Sequence, residues 1–203
     1  MDLEYKKNKM IKDIQFLCSN CQLSDTGKYA ILDDITWRYS ERTDIGNMGK
    51  TYDWNNENPN STTKILGNKY WSENALRELK KLSSNNEFTN SSINKKLNVI
   101  FEHIVPRKIF IEYIINNGNQ LTILSKDELK NLLDNVLIGC IITKDEDKKL
   151  NADKVNQRMP NGETDLNKIS HNPWARYDYV GIKHQIVNWG FQKAGNKHRW
   201  KMI

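Results

Sequence analysis

The sequence predicts an α+β protein: a small mixed sheet with packed helices and a C-terminal β-hairpin, forming a single α+β domain over residues 1–203. Three observations carry this. Apolar residues recur at helical spacing in several segments. Two short apolar runs, 97–101 and 136–142, have the length of strands and are separated by two helical patterns. Near the end, 185–193 and 197–203 flank Ala194-Gly195-Asn196, which reads as a hairpin.

Taken in order, Leu3, Ile11, Ile14, Leu17 and Cys18 place one apolar face on a helix over 3–18. The run from Tyr29 to Tyr39 is rich in β-favouring residues and predicts a strand. Gly46, Gly49 and the Asn-rich stretch 55–60 mark loops. Ser72 fits the N-cap of a helix through Ala75, Leu76, Leu79 and Leu82. Residues 83–94 are rich in Ser and Asn, a loop or weak linker. After the strand at Leu97–Phe101, Pro106 fits the first position of a helix and Gly118 the position just past its end. Ser125-Lys-Asp-Glu128 and Thr143-Lys-Asp-Glu146 are capping-box patterns that open two further helices. The middle of the chain thus runs strand, helix, helix, strand, helix.

No run approaches the roughly 20 apolar residues needed to span a bilayer, and Met1-Asp2-Leu3-Glu4-Tyr5 lacks the apolar core of a signal peptide. Three cysteines, an odd number, argue against a disulfide scaffold. The expectation is a cytoplasmic protein with no membrane partner. The formal net charge of +6 is unevenly placed. Residues 179–203 hold Lys183, Lys193, Lys197, Arg199 and Lys201 and no acid, leaving +1 for the rest. Cations interleaved with Trp189, Phe191 and Trp200 have the make-up of a nucleic-acid surface, since aromatics stack on bases and lysines meet phosphates. A solvated basic edge with core aromatics is the plainer reading of the same residues.

The densest chemistry lies in Glu102-His103-Ile104-Val105-Pro106-Arg107-Lys108. His titrates near neutrality and is the default proton shuttle. Glu102 has the chemistry of a metal ligand, and Arg107 and Lys108 that of phosphate-binding cations. Of the four histidines (103, 171, 184 and 198), only His103 has an acidic neighbour in sequence. A strand end pairing locally with Arg107 would account for the same residues without chemistry.

Glu102-His103-Ile-Val-Pro106 resembles the opening motif of the HNH, or ββα-metal, nucleases, over about five residues. The resemblance implies His103 as the general base that activates water and Glu102 as a metal ligand. Asn135 would stand for the family's middle Asn, and Glu146 or Asp147 for its last ligand. The chain departs from the pattern in two places: a helix follows Pro106 directly, and the helix after the second strand carries no His.

Cys18-Ser-Asn-Cys21 has zinc-knuckle spacing, but a structural zinc site needs four ligands. Cys140 sits in an apolar run, where a thiol packs as core. His171-Asn-Pro-Trp174-Ala-Arg176-Tyr177 gathers groups that suit an anionic or base-bearing ligand. Arg38-Tyr39-Ser-Glu41-Arg42 is similar in kind. Walker, Rossmann and Ser-elbow patterns do not occur.

The sequence reading is therefore a DNA-cleaving endonuclease of restriction or defence type. His103 is the base, Glu102 with Glu146 or Asp147 holds Mg²⁺ or a similar divalent ion, and Arg107 and Lys108 stabilise phosphate charge. Arg176, Lys183, Lys193, Lys197, Arg199, Lys201 and Trp200 track nucleic acid, DNA favoured over RNA. A palindrome-cutting enzyme would be expected to form a homodimer. Two alternatives stand beside it. One is a metal-independent enzyme, either an RNase or a base-excising DNA glycosylase or lyase. The other is a non-catalytic nucleic-acid-binding protein.

Overall fold

The computed structural model describes residues 3–20, 22–40, 65–83, 85–89, 97–194 and 197–203. The loop expected over 46–60, Cys21 and the second half of the 83–94 segment lie outside them. Among the described residues, eight helices pack with a mixed four-stranded sheet and a small antiparallel sheet, so the α+β expectation holds. No helix among them is long and apolar enough to cross a membrane.

Helix α1 (Leu3–Ser19) follows its apolar spacing, burying Ile11, Ile14 and Leu17. The segment predicted as a strand over 29–39 is instead helix α2 (Asp25–Ser40). Its buried residues, Leu32, Ile35, Thr36 and Tyr39, recur at i, i+3, i+4 and i+7, and Ser24 Oγ accepts from the Gly27 N–H at the start. Helical periodicity and a cap override the β-favouring composition.

Strand β1 (Tyr70–Ser72) runs straight into α3 (Glu73–Lys80), with Ser72 capping the Ala75 N–H. Strand β2 (Glu87–Thr89) lies inside the segment read as a linker. Strand β3 (Val99–His103) leads through Pro106 to α4 (Arg107–Leu121), whose helical backbone breaks at Asn117 (φ −124°, ψ 18°), just before Gly118 as expected, and resumes to Leu121. Gly118 lies against the backbone of Cys18, where an added Cβ would stand 3.4 Å from the Cys18 Cα and carbonyl oxygen. Its smallness also serves the close approach of α1 and α4. Both capping boxes form, opening α5 (Lys126–Val136) and, after β4 (Gly139–Thr143), α6 (Lys144–Ala152). Two short helices, α7 (Leu166–His171) and α8 (Ala175–Tyr179), precede β5 (His184–Ile186).

The main sheet has the order β3-β4-β1-β5, with β1 and β4 parallel and the other pairs antiparallel. The hairpin is formed by β6 (Trp189–Ala194) and β7 (Lys197–Met202), and β2 adds to it as a third strand. Residues 185 and 186, expected in the hairpin, belong with His184 to the main sheet, where they pair with β1. Side chains alternate between the two faces of a strand, and the two apolar cores divide accordingly. One joins Cys140 and Ile142 to the α1, α2, α4 and α5 bundle; the other joins Trp71 and Ile141 to α3 and Phe88.

Asp134 ties the bundle together. Its carboxylate accepts from Lys7 Nζ (2.6 Å), the Tyr39 hydroxyl (2.8 Å) and Lys130 Nζ (2.8 Å). Burial alone would push its pKa up, but the hydrogen bonds from Lys130, Lys7 and Tyr39 outweigh that and hold it below the usual Asp value. A carboxylate depressed in the folded state binds fewer protons there than when unfolded. Its stabilisation is present above the unfolded pKa and is lost as pH falls through the folded one. Asp134→Asn is therefore expected to lower the urea midpoint at pH 6–7. The gap to wild type should close as pH falls below about 4, the ordinary Asp pKa. A gap that stays constant from pH 6 to pH 2.5 would remove Asp134 as the source.

Candidate active site

The Glu102-His103 pair ends β3, opposite Cys140 and Gly139 at the start of β4. Because neighbouring strand residues face opposite ways, the two side chains enter different surroundings. His103 lies with Phe101, whose ring stands edge-on at 5.2 Å, and with Trp37 of α2 at 5.1 Å. It is only 5% exposed. Arg107 joins this cluster, its guanidinium 4.6 Å from the centre of the Trp37 ring and paired with Asp33 at 2.7 Å. Asp33 and Trp37 are one turn apart on α2, so one helix face supplies both partners. Gly139 leaves the space that the Phe101 ring fills, since a Cβ there would collide with the ring.

Glu102 lies on the other face, in register with Cys140 and, one strand further, Tyr70. Its Oε1 accepts from Arg176 Nη2 at 2.7 Å, and its side chain is 22% exposed. Burial pushes its carboxyl above the usual range against the pull of Arg176. The nearby Asp147 carboxylate adds to the rise and Arg107 opposes it.

Arg176, expected on a nucleic-acid surface, is fully buried. Nη1 donates to the carbonyls of Val155 (2.9 Å) and Asn156 (2.8 Å), and Nη2 to Glu102 and the His103 carbonyl. The reason is chemical: a buried guanidinium must find acceptors, and this one finds them on β3 and the segment after α6. Glu146, expected as a metal ligand, is instead a buried cap. It accepts from the Thr143 N–H (2.8 Å), Thr143 Oγ1, Ser72 Oγ (2.6 Å) and Asn74 Nδ2 (2.9 Å). Its lone pairs are used in closing α6 and joining it to β1 and α3. That leaves Asp147 as the acid of this segment with an electrostatic tie to Glu102.

Among the described residues, no group of three or more His, Cys, Asp or Glu is placed to hold a metal ion. A Mg²⁺-type ion needs less: it binds through one or two carboxylates and keeps waters and substrate phosphate oxygens. Glu102 Oε2 takes none of the hydrogen bonds found among the described residues, whereas Asp147 Oδ2 accepts from Asn151 Nδ2 at 3.3 Å. Cys18 and Cys140 are both buried free thiols, and Cys18 is pushed up to about 11 by burial against the pull of Lys28. A neutral buried thiol is a poor zinc ligand.

Lys108 is half exposed, with Glu112 3.7 Å away. Lys183 and Lys201 are exposed, as a phosphate contact requires. The side chains of Lys193, Lys197, Arg199 and Trp200 lie outside the described residues, although their backbone forms the β6–β7 ladder.

The sequence reading missed Asp33, Trp37 and His184. The first two were hidden by the strand reading of α2; their i, i+4 spacing was the available signal. His184 stacks on Trp174 at 3.5 Å and 8°, with Tyr70 edge-on to both. Burial lowers its pKa, with Asp178 opposing, which favours the neutral ring. No local pattern pairs residues 174 and 184. No family model matches the chain, and neither a curated protein nor a solved structure matches it significantly.

Proposed function

We propose that the protein is a nucleic-acid endonuclease, with DNA the favoured substrate and His103 the general base. The observation that supports this best is the path of the chain through the site. β3 ends in Glu102-His103, β4 runs antiparallel beside it, and α6 follows directly and packs on both strands. A ββα order results, with α4 and α5 inserted between the strands.

In this reading Glu102 and Asp147 hold a divalent ion of the Mg²⁺ type. Such an ion polarises the scissile phosphate and neutralises the charge that builds on it. His103 takes the proton of the attacking water. Arg107, held by Asp33, supplies a fixed positive charge at the Trp37 ring that His103 also meets, and Lys108 a half-exposed one at the helix start. A restriction or defence role suits a small basic chain of this kind, with the cytoplasm as its place of action.

Incubating the purified protein with plasmid in Mg²⁺ and then in EDTA tests the proposal. Cleavage in Mg²⁺ that EDTA silences is expected. Cleavage that persists in EDTA would move the assignment to a metal-independent RNase or glycosylase type of chemistry, and binding without cleavage to a non-catalytic protein. Two observations favour that last reading: the burial of His103 among aromatic rings, and its place on the opposite face of β3 from the Glu102 carboxylate.

The basic hairpin gives a separate prediction. If its cations meet phosphates, binding releases counterions, and each contact to duplex DNA contributes about −0.9 to the slope of log affinity against log salt. Replacing Lys193, Lys197 and Lys201 with Ala should lower affinity and make that slope shallower by up to about 2–3 units. Sequence preference should be unchanged, since phosphate contacts position without specifying. An unchanged slope would make the hairpin a solvated edge.

A further inference from the structure

Arg176 makes a pattern of contacts that an ordinary structural ion pair does not need. A guanidinium has five N–H groups. The four on Nη1 and Nη2 each have an acceptor: the carbonyls of Val155 and Asn156, the Glu102 carboxylate, and the His103 carbonyl. Only Nε lacks one among the described residues. One planar group therefore grips both members of the Glu102-His103 pair and ties them to the chain just after α6, the helix that carries Asp147. The hold on Oε1 sets which way the Glu102 carboxylate turns and leaves Oε2 for another partner. The hold on the His103 carbonyl fixes the peptide at the strand end, where the direction of the imidazole is decided. Arg176 is fully buried, so none of this involves contact with a nucleic acid.

We propose that Arg176 is a positioning residue that fixes the Glu102 carboxylate and the His103 backbone for phosphodiester cleavage; this rests on the nuclease reading above. Lysine at this position would keep the charge but not the planar fork, so it cannot serve both strands of contact at once. A misplacement of about 1 Å at a reacting group costs about 10²-fold in rate.

The test uses the full chain with Arg176→Lys, Glu102→Gln and the double variant. Three quantities are read: plasmid cleavage in Mg²⁺, duplex affinity in EDTA, and Mn²⁺ affinity by electron paramagnetic resonance. Arg176→Lys is expected to cleave about 10²-fold more slowly. It should bind Mn²⁺ more weakly than wild type while its duplex affinity stays within about twofold, a separation that general loss of structure would not produce. Because part of the effect of Arg176 runs through Glu102, the loss in the double variant should be smaller than the product of the two single losses. Arg176→Gln, which keeps two N–H donors without the charge, serves as the second variant where Arg176→Lys does not fold. Wild-type rates in a folded Arg176 variant, or losses that multiply in the double variant, would overturn the inference while leaving the nuclease reading intact. A wild-type protein that neither cleaves plasmid nor binds Mn²⁺ would remove that reading and the inference with it.

Discussion

Arg176→Ala is expected to destabilise the protein by about 3–5 kcal/mol, the usual cost of breaking a buried ion pair from one side. For a chain of this size that corresponds to a Tm lower by roughly 6–20 °C. Two losses contribute, and they can be separated. The first is the Glu102 carboxylate, left in a largely buried place without its cation. The second is the set of three backbone carbonyls, at His103, Val155 and Asn156, left without donors. Glu102 is 22% exposed and can take up a proton, so its share is limited. The carbonyls have no such escape. Combining Arg176→Ala with Glu102→Gln should therefore recover only a minor part of the lost stability. Full recovery would mean that the ion pair, and not the carbonyl contacts, carries the cost. A Tm within 2 °C of wild type for Arg176→Ala would show that the cluster rearranges freely.

Legibility in the sequence followed the range of the interactions. Ser125-to-Glu128 and Thr143-to-Glu146 are local hydrogen-bond patterns, and both capping boxes formed where they were expected. The strands at 99–103 and 139–143 were legible as apolar runs at 97–101 and 136–142, displaced by one to three residues. Helix α2 was misread because its composition was weighed above its spacing, although 32, 35, 36 and 39 already traced a helical face. Strands β1, β2 and β5 have three residues each, too short to leave a period.

The site was only half legible for the same reason. Glu102 and His103 stand out as neighbours in sequence, yet a strand turns neighbours to opposite faces. Each then acquires partners from afar, Arg176 for one and Trp37 for the other. Glu146 shows how one residue can satisfy two patterns. As an acid near the second strand it suited a metal site, but as the third residue after Thr143 it suited a cap, and the cap uses its oxygens. Arg176 is a cation 74 residues from Glu102, and nothing in the sequence around it distinguishes a buried cation from a surface one.

His103 separates the proposed enzyme from a protein that only binds. If His103 is the general base, its loss should slow cleavage by about 10²–10⁴-fold. Alanine alone is an imperfect probe, because the imidazole is buried against Trp37 and Phe101 and its removal also leaves a cavity. His103→Gln keeps most of the volume and one hydrogen-bonding position while losing the titration near neutrality. His103→Gln is expected to match His103→Ala in lost rate while unfolding closer to wild type, with duplex affinity measured in EDTA unchanged in both. The opposite outcome has an equally clear form. If His103 only packs, cleavage should track the folded fraction, so His103→Gln would cleave near the wild-type rate and His103→Ala would recover on cooling. That result would remove His103 from the chemistry and leave β3 as a structural edge. A base acts on the rate of a folded molecule, whereas a packing ring acts on how much of the molecule is folded. Rates taken at two temperatures, both well below the Tm, tell the two apart.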